Sequence, residues 1–591
     1  DTLNKEEVQN WFKKFWETTI KTDEAKRTEL EEHLAHLLTL ELTPVELNQA
    51  VVSHVRDILL KEPIAKRVYS RIRHTPAFAR KVDMLDDMGD KARQYFVINP
   101  QVREALQMPV LYTKAGYDKV DLSADSEVIK AVIEERAILA QAEAGKDVLN
   151  YTPEEPAKVS EQVKELYFAD YIRTWNGFYQ SLKLVGLGDV RQAEQMLAAL
   201  IDPVYSPMVT ALQVGAENTT LTSSLIGDLA ESKIKGKKGE LAGDVVDKVI
   251  EETPVDKYFK DINSLTKAPK LGQPPIGSAL EKVRDLHTFV AEIALAPDPT
   301  QKAYEVSKAR AQNGGSNPTT ALRAYASGTQ EPLRGWLESL AIGNSNVISS
   351  GGKGFVGSEW RAAVYKPYAQ LIMNKYPLNP KAQEETAVLD FTNFFKTGGI
   401  LDVFYMANVA PFVDARDPTR VKSVDGGGAT FSGDFLRQMQ NAQIIRGMFF
   451  QDGPDALSLG FDFKPFEFSE KEARFSLEFG NERLTYNHGP KFSSTVKWSA
   501  ADDIKQLRIN FEDVNGKQHE KIYTGPWALL RLFDASRIEK QASGSFIVRF
   551  SVADTLVQGL THDIAYEVRP KSANNVFRRD VLTGFRLPET P

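Results

Sequence analysis

Two periods of apolar residues divide this chain. Up to about residue 453 they recur at helical spacing, and from about 454 they alternate. In the first 60 residues Val8, Trp11, Phe12, Phe15, Trp16 and Ile20 form one apolar stripe, three and four positions apart. Further helices are predicted at 63–73, 124–143, 153–184, 189–201, 206–216, 278–296, 299–311, 358–374 and 433–449, with two more reaching about 347. Three starts share one device: Thr43-Pro44-Val45-Glu46, Thr152-Pro153-Glu154-Glu155 and Asp298-Pro299-Thr300-Gln301. Each has an oxygen-bearing cap, then a proline whose missing N–H costs nothing in the first turn, then an acid or amide that can close a capping box. Between 95 and 122 the short runs around Phe96 and Leu111, bounded by Pro100, Pro109 and Gly116, predict an irregular crossing with a strand or two.

In the last part, Phe475/Leu477/Phe479, Leu507/Ile509/Phe511, Phe546/Val548/Phe550 and Ile564/Tyr566/Val568 alternate as half-buried strands do. Asn515-Gly516 supplies the positive backbone angles of a tight hairpin. Gly525-Pro526 should end a strand and open a short helix carrying Trp527, Leu530, Leu532 and Phe533, which reads as an apolar plug on one end of a sandwich. The predicted fold is therefore multi-domain α + β: a large helical N-terminal and middle region followed by a C-terminal all-β sandwich-like domain with a short helix. The expected divisions are 1–230, helical; 231–277, a charged linker and break; 278–453, mainly helical; and 454–591, the β-sandwich.

Glycine marks the expected connections. KIKGKKGE at 233–240 reads as a mobile linker, and SSGGKGFVG at 349–357 as a flexible or turning one. The second is no phosphate loop. Gly354 follows Lys353 where a metal-binding Ser or Thr is needed, and a helix precedes it where a strand should.

The 591 residues are enough for several domains, and 42% hydrophobic content is ample for their cores. A net charge of -7 argues against a nucleic-acid surface. No apolar run reaches the ~18 residues that a membrane-spanning helix requires. The chain contains no cysteine, which removes disulfides and thiolate chemistry and leaves the compartment open. It starts with Asp1 and no leader follows, as expected of a segment cut from a longer protein or a processed form. No nucleophile elbow or His-Glu-x-x-His motif occurs. His33 and His36, with Glu29 and Glu32, could gather a metal but read better as a solvated helix face. Acid pairs such as Asp86/Asp87 and Asp502/Asp503 carry little information without a pocket. His488, in the Tyr-Asn-His-Gly-Pro stretch at 486–490, is the most enzyme-like residue, yet a turn hydrogen bond is its expected role. A chain of this size without a catalytic set reads as a scaffold or binding protein that needs no catalytic residue, cofactor or metal.

Several stretches, in order, resemble the TssM/IcmF proteins of bacterial type VI secretion systems. They are Val68-Tyr69; Val110-Leu111-Tyr112-Thr113 with Gly116-Tyr117; Tyr167, Asp170-Tyr171 and Trp175; Ser206-Pro207; Tyr376-Pro377; Asp390-Phe391, Phe394-Phe395, Gly398-Gly399, Leu401-Asp402 and Phe404; and Ala442, Ile445-Arg446 and Phe449-Phe450. The 486–490 stretch, the Trp498 strand, Gly525 to Asp534, Leu582 and Phe585-Arg586-Leu587-Pro588 continue the resemblance. Ser572–Phe577 departs from the Asn-Pro-Phe type ending expected there. The resemblance implies the periplasmic segment of an inner-membrane protein of a Gram-negative bacterium, with its transmembrane helices and cytoplasmic domain upstream. It further implies a non-enzymatic scaffold that meets the outer-membrane lipoprotein TssJ through its β-rich C-terminal region, works with the inner-membrane protein TssL and self-associates.

The alternative is a periplasmic protein that binds or hydrolyses peptidoglycan, with acids on the helical body or with Tyr486, Trp498 and Trp527 stacking on sugars. For partner binding, turn composition nominates Asn481, Glu482 and Arg483; Asp513, Asn515 and Gly516; Ser543; and Asn574 and Asn575.

Overall fold

The computed structural model describes residues 5–19, 24–40, 48–97, 106–144, 154–222, 252–268, 273–424, 427–428, 431–500 and 505–591. Thr43–Glu46, Thr152-Pro153, most of the 231–254 stretch and Asp502/Asp503 lie outside the described residues. The chain separates into two compact units, Asp1–Arg80 with Pro109–Ile172, and Lys81–Met108 with Arg173–Pro591.

The first unit is helical, with Ile64–His74 and Glu127–Ala144 among its longer elements. The expected first helix forms at Lys5–Thr19, but its apolar stripe is not buried: Trp11 is 60% exposed and stacks on Phe15. His33 and His36 are also exposed, as a solvated face requires. The core is a tyrosine cluster. Tyr69 donates to Asp170 at 2.8 Å, its hydroxyl lies 2.9 Å from that of Tyr112, and Tyr167 donates to the Leu111 carbonyl at 2.9 Å. Burial raises the pKa of the Tyr69 and Tyr167 hydroxyls far above the usual phenol range, so they act as neutral donors. Gly116 is required here, because an added Cβ would sit 1.9 Å from the Val110 carbonyl oxygen. Three of the stretches that carry the resemblance, 68–69, 110–117 and 167–171, thus meet in one core.

In the second unit the Gly-rich stretch 349–357 is not a connection. It lies inside one 28-residue helix, Leu333–Trp360, which continues through widened π-type turns at Arg361–Tyr365 and Tyr368–Ile372. The physical reason is packing. Built Cβ atoms on Gly351 and Gly352 would lie 3.3 Å from Ala303 Cβ and 3.2 Å from Tyr304 Cα, both on helix Pro299–Asn313. The missing side chains let two helices approach, and the burial gained outweighs the helix propensity lost, about 1 kcal/mol per glycine. Helix Pro299–Asn313 itself begins at the expected cap, Asp298, which accepts from Thr300 and Gln301. The predicted crossing near residue 96 is a two-residue strand, Phe96–Val97, paired with Lys183–Leu184.

The period change at 454 is a change of architecture. Among the described residues nine strands follow: β1 Ser458–Phe468, β2 Glu472–Phe479, β3 Glu482–Tyr486, β4 Ser494–Ser499, β5 Gln506–Asp513, β6 Gln518–Thr524, β7 Arg537–Lys540, β8 Phe546–Ala553 and β9 Thr561–Pro570. They form two antiparallel sheets, ordered β4-β1-β9-β8-β7 and β6-β5-β2-β3. The alternating residues face inward, as expected of a sandwich. Phe475 of one sheet stacks on Phe550 of the other at 6.0 Å and meets Tyr566 at 5.8 Å.

The short helix spans Ala528–Asp534 and starts two residues after Pro526, with Trp527 at its cap. Trp527 is fully buried against Phe391, Phe449 and Trp498, and its indole N–H donates to the Thr386 carbonyl at 2.7 Å. The plug therefore joins the sandwich to the helices of its own unit. Nearby, Arg531 pairs with Glu385 and lies 3.7 Å from the Tyr376 ring centre.

Candidate functional site

Strand registers sort the loops of the sandwich between its two ends. Tyr486 pairs with Phe475 and Ser494 with Phe463, so the β3–β4 loop that carries His488 and Phe492 lies at the end where β2 begins. Asp513 pairs with Glu472 while Leu507 pairs with Phe479, so the β5–β6 turn lies at the end where β2 begins. Ala553 pairs with Thr561, and Ile564 with Phe468, so the β8–β9 and β1–β2 turns share that end. The β2–β3 turn, the β7–β8 turn, the loop after β9 and the Trp527 helix lie at the other.

The nominated residues consequently separate. Asp513, Asn515 and Gly516 belong to the first end; Asn481, Glu482, Arg483, Ser543, Asn574 and Asn575 belong to the second. One flat interface cannot use them all. The second end is the one next to the helices, where Asn574 packs against Gly447 of helix Gly433–Phe449. Asn575 is only 9% exposed, and its side chain binds the backbone of Ser572, Ala573 and Phe577, which makes it a turn-former. Asn481, Arg483 and Ser543 are exposed there. Asn515 and Gly516 are exposed at the first end, while Asp513 is half-buried.

The first end is built from aspartate-closed turns. Asp513 Oδ1 accepts from the backbone N–H of Asn515 at 2.8 Å and of Lys517 at 2.9 Å. Asp554 Oδ1 accepts from Leu556 at 2.6 Å and Val557 at 2.9 Å. Such turns satisfy backbone donors with a side chain and leave the tips free to point outward. The tips are apolar: Leu556 is 78% exposed, Phe492 is 75% exposed, and Val514, Val557 and Leu560 are exposed as well. His488 has the turn role expected of it, with φ at +56° and Nε2 2.6 Å from the Glu472 carbonyl oxygen.

Beneath these tips lies a polar cluster that turn composition did not reveal. His519 of β6 and His562 of β9 stack with ring centres 3.6 Å apart and planes tilted by 22°. His562 Nδ1 is 2.8 Å from Glu472 Oε1, and Nε2 is 3.3 Å from Asp554 Oδ2. Burial disfavours the charged form of His562, but the bonds to Glu472 and Asp554 outweigh it and raise its pKa above the ordinary histidine value. The Leu556 and Val557 N–H groups, with His562 and Lys517, hold the Asp554 carboxyl well below the usual range. The cluster was partly legible. His562 is in phase with the inward set Ile564/Tyr566/Val568, and the Asn-Gly hairpin sets His519 opposite Phe511. Their meeting depends on how the sheets stack, and no local pattern encodes that.

Little suggests catalysis. A cavity of about 850 Å³ lies between helices Pro299–Asn313 and Leu333–Trp360, but its lining, which includes Arg310, Lys353 and Arg361, has no Asp, Glu or His among the described residues. The carboxyl groups whose pKa departs from the usual value, Asp202, Asp462 and Asp554 among them, are all lowered rather than raised. Tyr486, Trp498 and Trp527 are buried and offer no face to a sugar. Among the described residues no helix is long and apolar enough to cross a membrane.

Two family profiles match separate parts of the chain. A family profile described as "IcmF-related: Intracellular multiplication and human macrophage-killing" matches residues 1–220. A second, "Type VI secretion protein IcmF C2-like domain", matches residues 461–558, which covers most of the sandwich. The chain is 25% identical to "Type VI secretion system component TssM1" of Pseudomonas aeruginosa, over 98% of this chain and 53% of that protein. It thus spans about half the length of that curated relative. Two solved structures share the fold. One described as "Type VI secretion system membrane core complex" has a TM-score of 0.59 at 16% identity, covering 89% of this chain and 98% of that one. Another, "Type VI membrane complex", has a TM-score of 0.56 at 16% identity, covering 91% and 93%.

Proposed function

The chain belongs to the TssM/IcmF family, and on that premise we propose that it is a non-enzymatic scaffold of a type VI secretion membrane complex. In this reading it is the periplasmic segment of an inner-membrane protein, self-associates, works beside TssL, and binds the outer-membrane lipoprotein TssJ through the C-terminal sandwich. The observation that carries the binding role is the first end of the sandwich. It sets Val514, Leu556, Val557 and Leu560 outward on turns whose bases are fixed by Asp513 and Asp554. Exposed apolar groups on rigid turns are the usual material of a protein interface core. Among the described residues the shifted carboxyl groups are all lowered, and the cavity of about 850 Å³ is lined by Arg310, Lys353 and Arg361 rather than by acids, which supports scaffolding over cell-wall hydrolysis.

The test is equilibrium binding of the whole chain to the soluble part of the cognate TssJ. Leu556→Ser with Val557→Ser should weaken binding by at least about tenfold, the value of ~1.4 kcal/mol. Asn481→Ala with Arg483→Ala, at the opposite end, should leave it unchanged. If the second pair weakens binding and the first does not, the site belongs at the other end. No binding by the unaltered chain removes TssJ from the reading.

A further inference from the structure

The polar cluster under the loop tips has a chemistry that partner binding does not require. We propose that His519, Asp554 and His562 form a binding site for one divalent transition-metal ion of the zinc class. Each offers one ligand atom, and the three atoms lie within 4.8 Å of one another. Two imidazole nitrogens and one carboxylate oxygen are a donor set suited to zinc and its neighbours, and not to calcium or magnesium, which take oxygen.

The hydrogen-bond pattern supports this over a self-satisfied polar core. Glu472 Oε1 sits 2.8 Å from His562 Nδ1 and accepts its hydrogen bond, so Nε2, 3.3 Å from Asp554 Oδ2, is the nitrogen that would bind an ion in exchange for its own proton. His519 is 3% exposed, and both of its ring nitrogens are buried without a hydrogen-bond partner. Its Nδ1 is 3.7 Å from Asp554 Oδ2 and its Nε2 is 3.9 Å from Asp513 Oδ2. An unpartnered buried ring is costly, and a site of this kind calls for a missing ligand. An ion between His519 Nδ1, His562 Nε2 and Asp554 Oδ2 supplies it.

The spacing fits. Ligand atoms held ~2.0–2.1 Å from a tetrahedral zinc are about 3.3 Å apart. Asp554 Oδ2 is already 3.3 Å from His562 Nε2 and 3.7 Å from His519 Nδ1. Each histidine also has a carboxylate behind its far nitrogen: Glu472 for His562 and Asp513 for His519. That is the outer shell which orients metal-bound imidazoles and fixes their tautomers. Three carboxyl groups, on Glu472, Asp513 and Asp554, surround the two imidazoles, and the Lys517 ammonium approaches only from one side, with Nζ 3.7 Å from Asp554 Oδ2. A cation is the electrostatically favoured addition. Loading turns the stacked rings toward convergence and leaves one position for water. The ligands come from both sheets, so the ion staples the sandwich at its free end. The role is structural.

The inference does not rest on the TssJ assignment, because metal binding is measured on this chain alone. The EDTA-stripped chain is titrated with zinc by calorimetry, and its melting is followed with and without the metal. One zinc per chain is expected, with Tm raised by several degrees. His519→Ala should abolish that binding, and Asp513→Asn should weaken it by about 10–100-fold. His33→Ala with His36→Ala, on the exposed helix, should leave it unchanged. Absence of binding overturns the proposal, as does binding that survives His519→Ala and disappears with His33 and His36. Should His519→Ala fail to fold, cobalt(II) on the unaltered chain decides. Intense visible bands of four-coordination, displaced by zinc, support the site, and a weak octahedral spectrum overturns it.

Discussion

Trp527 donates its indole N–H to the carbonyl of Thr386 at 2.7 Å, across 141 residues of chain. The bond is buried, and it ties the cap of the sandwich helix to the segment leading into helix Val388–Phe395. Trp527→Phe keeps a ring against Phe391 and Phe449 but leaves that carbonyl without its donor, an expected cost of about 1–3 kcal/mol. Trp527→Ala adds a cavity and should cost about 3–5 kcal/mol. Urea unfolding of the three proteins checks the order, and equal stability of Trp527→Phe and wild type would show that the bond contributes nothing net.

Two glycines should respond in opposite directions. Gly354 lies in the long helix, and a Cβ there meets nothing within 4 Å. Gly354→Ala should therefore stabilise by roughly 0.5–1 kcal/mol. At Gly116 the added Cβ would collide with the Val110 carbonyl, and Gly116→Ala should destabilise by about 1–3 kcal/mol or more. Thermal denaturation distinguishes them, and a stabilising Gly116→Ala would refute the packing described for the first unit.

The Tyr69–Asp170 bond should be worth more than its partners' lengthy separation in sequence suggests. Tyr69→Phe removes the donor held at 2.8 Å from Asp170, a carboxylate that Arg73 also approaches to 3.6 Å. The expected loss is about 1–3 kcal/mol, because the acceptor is charged and partly buried. Comparison with Tyr205→Phe, an exposed tyrosine, controls for the loss of a phenol hydroxyl in general.

Asp202 should make stability depend on pH in the acid range. Lys91 at 2.8 Å, then the backbone N–H groups of Tyr205 and Val204, lower its carboxyl to about 2. Its folded pKa lies below the unfolded value of about 3.9, so the contribution is fully present above that pH and is lost as pH falls through 2. The stability difference between wild type and Asp202→Asn should therefore shrink between about pH 4 and pH 2. A difference that stays constant across that window would place the pKa elsewhere, and carboxyl NMR titration measures it directly.

The sequence by itself determined the two periods, and with them the helical body, the sandwich and the point where one gives way to the other. Periodicity is local, and so are the signals that ended and began elements: Asp298 before its proline, Asn515-Gly516 in its hairpin, Gly525 at its positive φ of 92°. The same is true of the resemblance, whose residues at 68–69, 110–117 and 167–171 prove to be one tyrosine core.

What only the tertiary structure decided involves surfaces that meet across the chain. The glycines at 351–352 read locally as a loop and are helical, because a neighbouring helix needs the space that their missing side chains leave. The nominated loop residues read as one set, yet strand register sends them to opposite ends. His519 and His562 carry no motif, since their proximity arises from stacking one sheet on another. Burial then turns two ordinary histidines and three acids into a single polar site.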